Sequence, residues 1–194
     1  MEWYKFDIRD LTDNEYNKWY SLTSKEAKQR IDKFKNENDK KRTVTGEMLA
    51  RLAISKKCNV KVEDIVFLKK EHGKPFAKDL DIEFNVSHSE DLVVCAINNT
   101  AVGIDIEKIR PINLLVAKRF CTQKELEYLF GYTPCLEDFK FTEDKNLLTR
   151  FYELWTAKEA FGKFLGSGLA NISCPAKENV KTITENDYII SIYH

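Results

Sequence analysis

The segment AVGIDIEKIR (101–110) places two carboxylates two residues apart. On a strand, Val102, Ile104 and Ile106 share one face while Gly103, Asp105 and Glu107 share the other. A rise of ~3.3 Å per residue puts the two acidic Cα atoms ~7 Å apart, close enough for their side chains to converge on one hard cation. Oxygen donors without soft ligands suit Mg²⁺, which shares its shell with water and phosphate. Gly103 removes a side chain beside them and lets another group approach the strand. The same pattern also fits an ordinary half-exposed strand with a polar face.

A second candidate lies in FYELWTAKEAFGKFLGSGL (151–169). Helical winding puts Phe151, Leu154, Phe161 and Leu165 on one apolar side, and Lys158 points into the middle of it. A charged amine aimed at a core is costly unless it snorkels to water or finds a partner. Glu159 and Lys163 stand four apart on the flank, the spacing of a surface ion pair. In the third candidate, FNVSHS (84–89), Ser87, His88 and Ser89 follow a short strand; a hydroxyl and an imidazole there can hold a phosphate. No GxSxG is present to suggest a hydrolytic triad. Lys74 in HGKPF and Arg42 are possible cationic partners, arginine being suited to bidentate phosphate contact.

The elements that must position these residues read as α+β. A strand is expected near 3–8, charged helix over 12–34, and a better helix over 43–58 with Met48, Leu49, Leu52 and Ala53 at helical spacing. A strand over 64–68 and a turn over 71–75 follow. The apolar run 92–97 reads as a strand covered on both faces, and the Asn98–Asn99–Thr100 turn predicts a hairpin to the next strand. Helices are expected over 114–120 and 123–130, a mobile loop over 131–146, and a closing strand over 188–193. Each half thus holds a helix followed by apolar strands.

Composition narrows the function classes. The chain has 194 residues, 43% hydrophobic and 32% charged, with 31 acidic and 31 basic side chains, so no global field points to nucleic acid or membranes. Residues 25–42 nonetheless carry eight basic against four acidic residues, a local excess of +4 that fits either a solvated surface or an anion-binding edge. Five cysteines without a CxxC pair fit neither a zinc site nor a disulfide framework. With no apolar leader or spanning segment, the expected compartment is the cytoplasm.

The order and spacing of the three candidates resemble the 4′-phosphopantetheinyl transferases of the surfactin type. That family's pattern is (V/I)G(V/I)D followed by (W/F)(S/C/T)xKE(A/S)xxK. Gly103–Ile104–Asp105 supplies the first part, and WTAKEAFGK (155–163) the second without a mismatch. GKP at 73–75, NVSHS at 85–89 and VAKRF at 116–120 match further family segments. The resemblance implies two similar α+β halves in pseudo-twofold arrangement, residues 1–100 and 101–194, with the active site between them. It implies transfer of phosphopantetheine from coenzyme A to a serine of an apo carrier protein, releasing adenosine 3′,5′-bisphosphate. By similarity, Asp105, Glu107 and Glu159 would hold Mg²⁺, and Glu159 would also act as general base. Lys158 and Lys163 would hold phosphate oxygens and assist catalysis. Arg42, Lys74, Pro75, Ser87 and His88 would receive the 3′-phosphate and adenine end of coenzyme A. One chain supplying both sides of the cleft suggests a monomer.

Two departures qualify the resemblance. Only 26 residues follow Gly168, so the second half is expected to be abbreviated. Residues 131–146 look longer than in close relatives, at a place where the family meets its carrier protein. The residues alone leave two other functions open: a Mg²⁺-dependent phosphate transferase or hydrolase acting on another nucleotide, or a non-catalytic carrier-binding module.

Overall fold

Sequence-local signals set most element boundaries in the computed structural model, which describes residues 1–70, 73–166 and 179–194. The first half runs β1 (Glu2–Asp7), α1 (Asp13–Leu22), α2 (Lys25–Ile31), α3 (Glu37–Cys58), β2 (Phe67–Lys69), β3 (Pro75–Ala77), β4 (Glu83–Ser89) and β5 (Leu92–Asn98). The second runs β6 (Gly103–Lys108), β7 (Ile112–Asn113), α4 (Leu115–Phe120), α5 (Gln123–Phe130), β8 (Phe141–Thr142), α6 (Lys145–Leu165), β9 (Val180–Glu185) and β10 (Tyr188–Tyr193). The charged stretch 12–34 is two helices, because Ser24 caps a second start by accepting from the Ala27 amide. The helix expected over 43–58 begins six residues earlier, where Asn36 caps it, and ends at Asn59 in the left-handed region. Of the turn at 71–75 only Gly73 onward is described; residues 167–169 and Cys174 lie outside the described residues.

Both halves share one topology: a strand, a long helix, then a hairpin whose last strand is central. The first sheet has the order β1-β5-β4 and the second β6-β10-β9, with all neighbours antiparallel. The second half, expected to be abbreviated, therefore contains the same three-stranded sheet as the first.

The hairpin expected between 92–97 and the next strand does not form. β5 already has β1 on one side and β4 on the other, joined to β4 through a tight turn in which Glu90 has φ 49°. β6 instead pairs with β10, Asp105 opposite Ser191. The turn at 98–100 carries the chain from one sheet to the next. The expectation that β5 is covered on both faces holds: Val93, Cys95 and Ile97 join the core under α3, while Val94 and Ala96 pack with Ile104, Ile106 and Ile190 of the second sheet. On β10, Ile189 meets the core of α4, α5 and α6, so the layers run α3, sheet, sheet, α6. Residues 131–146, expected as a mobile loop, contain a 3₁₀ turn (Leu136–Asp138), β8 paired to β7, and a buried Phe139 packed on Phe130. Among the described residues no helix is long and apolar enough to cross a membrane.

Candidate active site

Side-chain alternation on β4 divides its residues between two environments. Phe84, Val86 and His88 line a cavity of about 400 Å³ beneath α2 and α3, which Arg30, Arg42 and Pro75 also border. Asn85, Ser87 and Ser89 point the other way, to the edge of β6. Asn85 Oδ1 accepts from the Ile104 amide at 2.9 Å. Ser87 Oγ donates to Asp105 Oδ1 at 2.8 Å, and Ser89 Oγ to Glu107 Oε2 at 2.9 Å. Polar side chains thus join the two halves at this edge.

The carboxylate cluster is set by one close contact. A Cβ on Gly103 would lie 1.9 Å from the Ala160 carbonyl oxygen, so only glycine allows the α6 backbone to sit this tightly on β6. This close approach aligns Glu159 and Lys163 with the polar face of β6. The Lys163 ammonium donates to Asp105 Oδ1 at 2.6 Å, Ser87 Oγ at 2.9 Å and the Ile104 carbonyl at 3.3 Å. The i,i+4 partnership with Glu159 is replaced by this tie between elements.

The electrostatics of the cluster favour added positive charge. Burial lifts Glu159 above the ordinary carboxylate range; Asp105 adds to the shift and Lys163 opposes it. Glu107 is raised too, first by burial, against the lowering effect of the Ser89 hydrogen bond. Asp105 is 4% exposed and its Oδ2 has no hydrogen-bond partner among the described residues. As arranged, no three His, Cys, Asp or Glu side chains among the described residues stand close enough to hold an ion. The donor set still fits a hard cation: three carboxylates from β6 and α6, with one buried oxygen uncompensated.

The first-half residues divide into two groups. Arg42 and His88 border the cavity, Arg42 held by Asp39 at 2.5 Å and by the Glu90 carbonyl at 2.7 Å. Partial desolvation at the cavity rim pushes the His88 imidazole below its ordinary value although the side chain stays exposed, and Arg42 and Lys163 push it the same way. Lys74 is not in the cavity lining; its amine lies 3.4 Å from the Val102 carbonyl and 3.7 Å from Glu83. Burial lowers its pKa, with Glu83 opposing. Ser87, expected with His88 at the adenine end, is on the opposite face of β4 among the carboxylates, because adjacent strand residues face opposite ways.

Lys158 departs furthest from expectation. Its side chain is 2% exposed and its ammonium donates to Glu125 Oε2 at 2.9 Å and the Phe120 carbonyl at 2.8 Å, with the Phe120 ring centroid at 4.6 Å. These partners belong to α4 and α5, and they replace both the expected phosphate contact and the snorkelling alternative. The apolar face drawn around it is also divided. Phe151 and Leu154 are core, Phe161 packs at a tilt on Tyr193, and Leu165 is 52% exposed. Sequence reasoning missed Glu125, although Thr122 and Glu125 form a T-x-x-E capping box and the same Oε2 accepts from the Thr122 amide at 2.6 Å.

Comparison with known proteins bears on the whole of this arrangement. Residues 10–100 match the family described as 4′-phosphopantetheinyl transferase, N-terminal, and residues 101–192 match the 4′-phosphopantetheinyl transferase superfamily. The 4′-phosphopantetheinyl transferase Sfp of Bacillus subtilis is 38% identical over 164 residues, covering 84% of this chain and 68% of the relative. The 4′-phosphopantetheinyl transferase gsp of Aneurinibacillus migulanus is 38% identical over 154 residues, covering 79% and 60%. A mouse relative, L-aminoadipate-semialdehyde dehydrogenase-phosphopantetheinyl transferase, is 32% identical over 158 residues, covering 74% and 48%. The chain therefore spans between about half and two thirds of the length of these relatives. It belongs to the 4′-phosphopantetheinyl transferase superfamily.

Proposed function

We propose that this protein transfers the 4′-phosphopantetheine group of coenzyme A to a serine hydroxyl of an apo carrier protein. The observation that carries the reading is the meeting of two environments across β4. On one face is a cavity bordered by Arg30, Arg42 and His88; at the other are Asp105, Glu107 and Glu159 with Lys163. Coenzyme A has the matching ends, a 3′-phosphorylated adenosine and a pyrophosphate.

Arg42 and His88 hold the 3′-phosphate, with Pro75 and the cavity wall against the adenine. Lys74 gives long-range positive charge rather than a wall of that cavity. Lys163 orients the pyrophosphate. Mg²⁺ held by Asp105, Glu107 and Glu159 would neutralise developing charge on the phosphates. The serine oxygen forms a bond to the phosphorus that bears pantetheine, and the bond from that phosphorus to the bridging oxygen breaks. The bridging oxygen and its electron pair leave with adenosine 3′,5′-bisphosphate. The Glu159 carboxylate, whose proton affinity burial raises, accepts the serine proton directly or through water. Lys158 has no contact role in this scheme. One chain provides both sides of the cleft, so the working unit is a monomer.

Mass spectrometry of an apo carrier protein incubated with the chain, coenzyme A and Mg²⁺ tests this. The expected product carries one added phosphopantetheine, and none forms with Asp105→Ala. An unmodified carrier alongside hydrolysed coenzyme A would favour the hydrolase alternative.

A further inference from the structure

Ser87 and Ser89 each take part in a pair of hydrogen bonds that fixes the direction of the hydroxyl. Ser89 Oγ accepts from the Lys108 amide at 3.1 Å, which leaves its proton for Glu107 Oε2 at 2.9 Å. Ser87 Oγ accepts from the Lys163 ammonium at 2.9 Å, which leaves its proton for Asp105 Oδ1 at 2.8 Å. Both hydroxyls are nearly buried, so water competes little for them. Each serine engages one oxygen of its carboxylate. On Asp105 this sorts the two oxygens completely: Oδ1 receives Ser87 and Lys163, while Oδ2, itself buried, has no partner among the described residues.

We infer that Ser87 and Ser89 are positioning residues that make Asp105 and Glu107 one-oxygen ligands, each presenting its remaining oxygen to the cation. This rests on the cation site proposed above. A carboxylate free to rotate can offer either or both oxygens, whereas one tethered by a hydroxyl offers a fixed one, and outer partners of this kind tune affinity strongly. The tether comes from the other half of the molecule. The strand that presents His88 to the cavity holds the carboxylates with its alternate residues. Asn85, bonded to the Ile104 amide, keeps the two strands in register. Ser87 thereby acts on the metal side and not on the 3′-phosphate.

The probe is Mn²⁺, titrated into the whole chain with saturating coenzyme A and read by loss of the free-ion paramagnetic resonance signal. Ser87→Ala and Ser89→Ala should each weaken Mn²⁺ binding by about tenfold or more. Coenzyme A affinity without metal, measured by calorimetry, should stay at the wild-type value for Ser89→Ala. Ser87→Thr and Ser89→Thr keep the hydroxyl and should recover most of the metal affinity; they also serve where an alanine variant folds poorly. Alanine variants with wild-type Mn²⁺ affinity would overturn the inference while leaving the cation site standing. Equal losses of metal affinity and metal-free coenzyme A affinity would also overturn it, reducing the serines to structural ties. A wild-type chain that binds no Mn²⁺ would bring down the cation reading itself, and this inference with it.

Discussion

β1 and β6 occupy the same place in their halves, each an edge strand antiparallel to the central strand and crossed by a long helix, yet their helix-facing residues differ in kind. On β1, Tyr4 and Phe6 pack into the apolar core beneath α3. On β6, the corresponding face carries Gly103, Asp105 and Glu107 beneath α6. Aromatic filling stabilises the first half; bare backbone and carboxylates leave the second dependent on ties from elsewhere. Those ties are Lys163 from α6 and Ser87 and Ser89 from β4. A repeated architecture can thus keep one copy as an apolar scaffold with a cavity beside it while the other gives up core packing for charge.

The long helices sharpen the comparison, since each buries one cation. Arg51 of α3 is held by Glu47 at 2.9 Å and by the Val62 and Ile65 carbonyls, with its guanidinium 4.8 Å from the Phe67 ring centroid. Lys158 of α6 has the same kinds of partner: a carboxylate, a carbonyl and a ring. Both cations then serve architecture, Lys158 by fixing α4 and α5 against α6. Lys158→Met should cost about 3–5 kcal/mol of stability, because it leaves Glu125 buried without its cation. Pairing it with Glu125→Leu should recover much of that loss. A Lys158→Met chain that melts like wild type but no longer binds coenzyme A would return Lys158 to the phosphates.

The helix seats give the next contrast. Gly46 of α3 faces Val86, where a Cβ would come 3.0 Å from a side-chain methyl. Gly103 faces the α6 backbone at 1.9 Å, which cannot move without the helix. Gly103→Ala should therefore destabilise by about 3 kcal/mol or more through overpacking. Gly46→Ala should fall within about 1 kcal/mol of wild type, since alanine's helix preference offsets the contact. Denaturant melts compare them; equal costs would mean that both helices sit alike.

The smallest expected effect concerns protons. His88 is held below its ordinary value in the free protein, so the unfolded chain binds a proton more readily. Its contribution to stability is present above the unfolded pKa of ~6.5 and is lost as pH falls below it. A bound phosphate reverses the preference, so coenzyme A binding near pH 6 should take up a fraction of a proton. Calorimetry in buffers of different ionisation enthalpy measures that uptake, and His88→Gln should abolish it. Uptake that persists in His88→Gln belongs to another group.

Local rules made much of this legible and long-range pairing did not. Period-two alternation put Gly103, Asp105 and Glu107 on one face, and helix spacing joined Glu159 to Lys163. The same alternation separates Ser87 from His88, although the resemblance implies both at the 3′-phosphate and adenine end. Strand pairing around 98–100 is not legible because an apolar run such as 92–97 names no partner; β1, some ninety residues away, takes the place expected for β6. The contacts of Lys158 are not legible in the sequence for a similar reason. Its partner Glu125 lies on another helix, and no helical spacing can reveal it.

Adenosine 3′,5′-bisphosphate, which lacks the pantetheine phosphate, separates the two halves most directly. Its affinity is measured by calorimetry without metal for wild type, Arg42→Ala and Glu159→Ala. Arg42→Ala should lose about 1.5–3 kcal/mol of binding, one charge-assisted contact, while Glu159→Ala should bind like wild type and fail only in transfer. Loss of bisphosphate binding in Glu159→Ala, with Arg42→Ala unaffected, would contradict the division of recognition and chemistry between the halves.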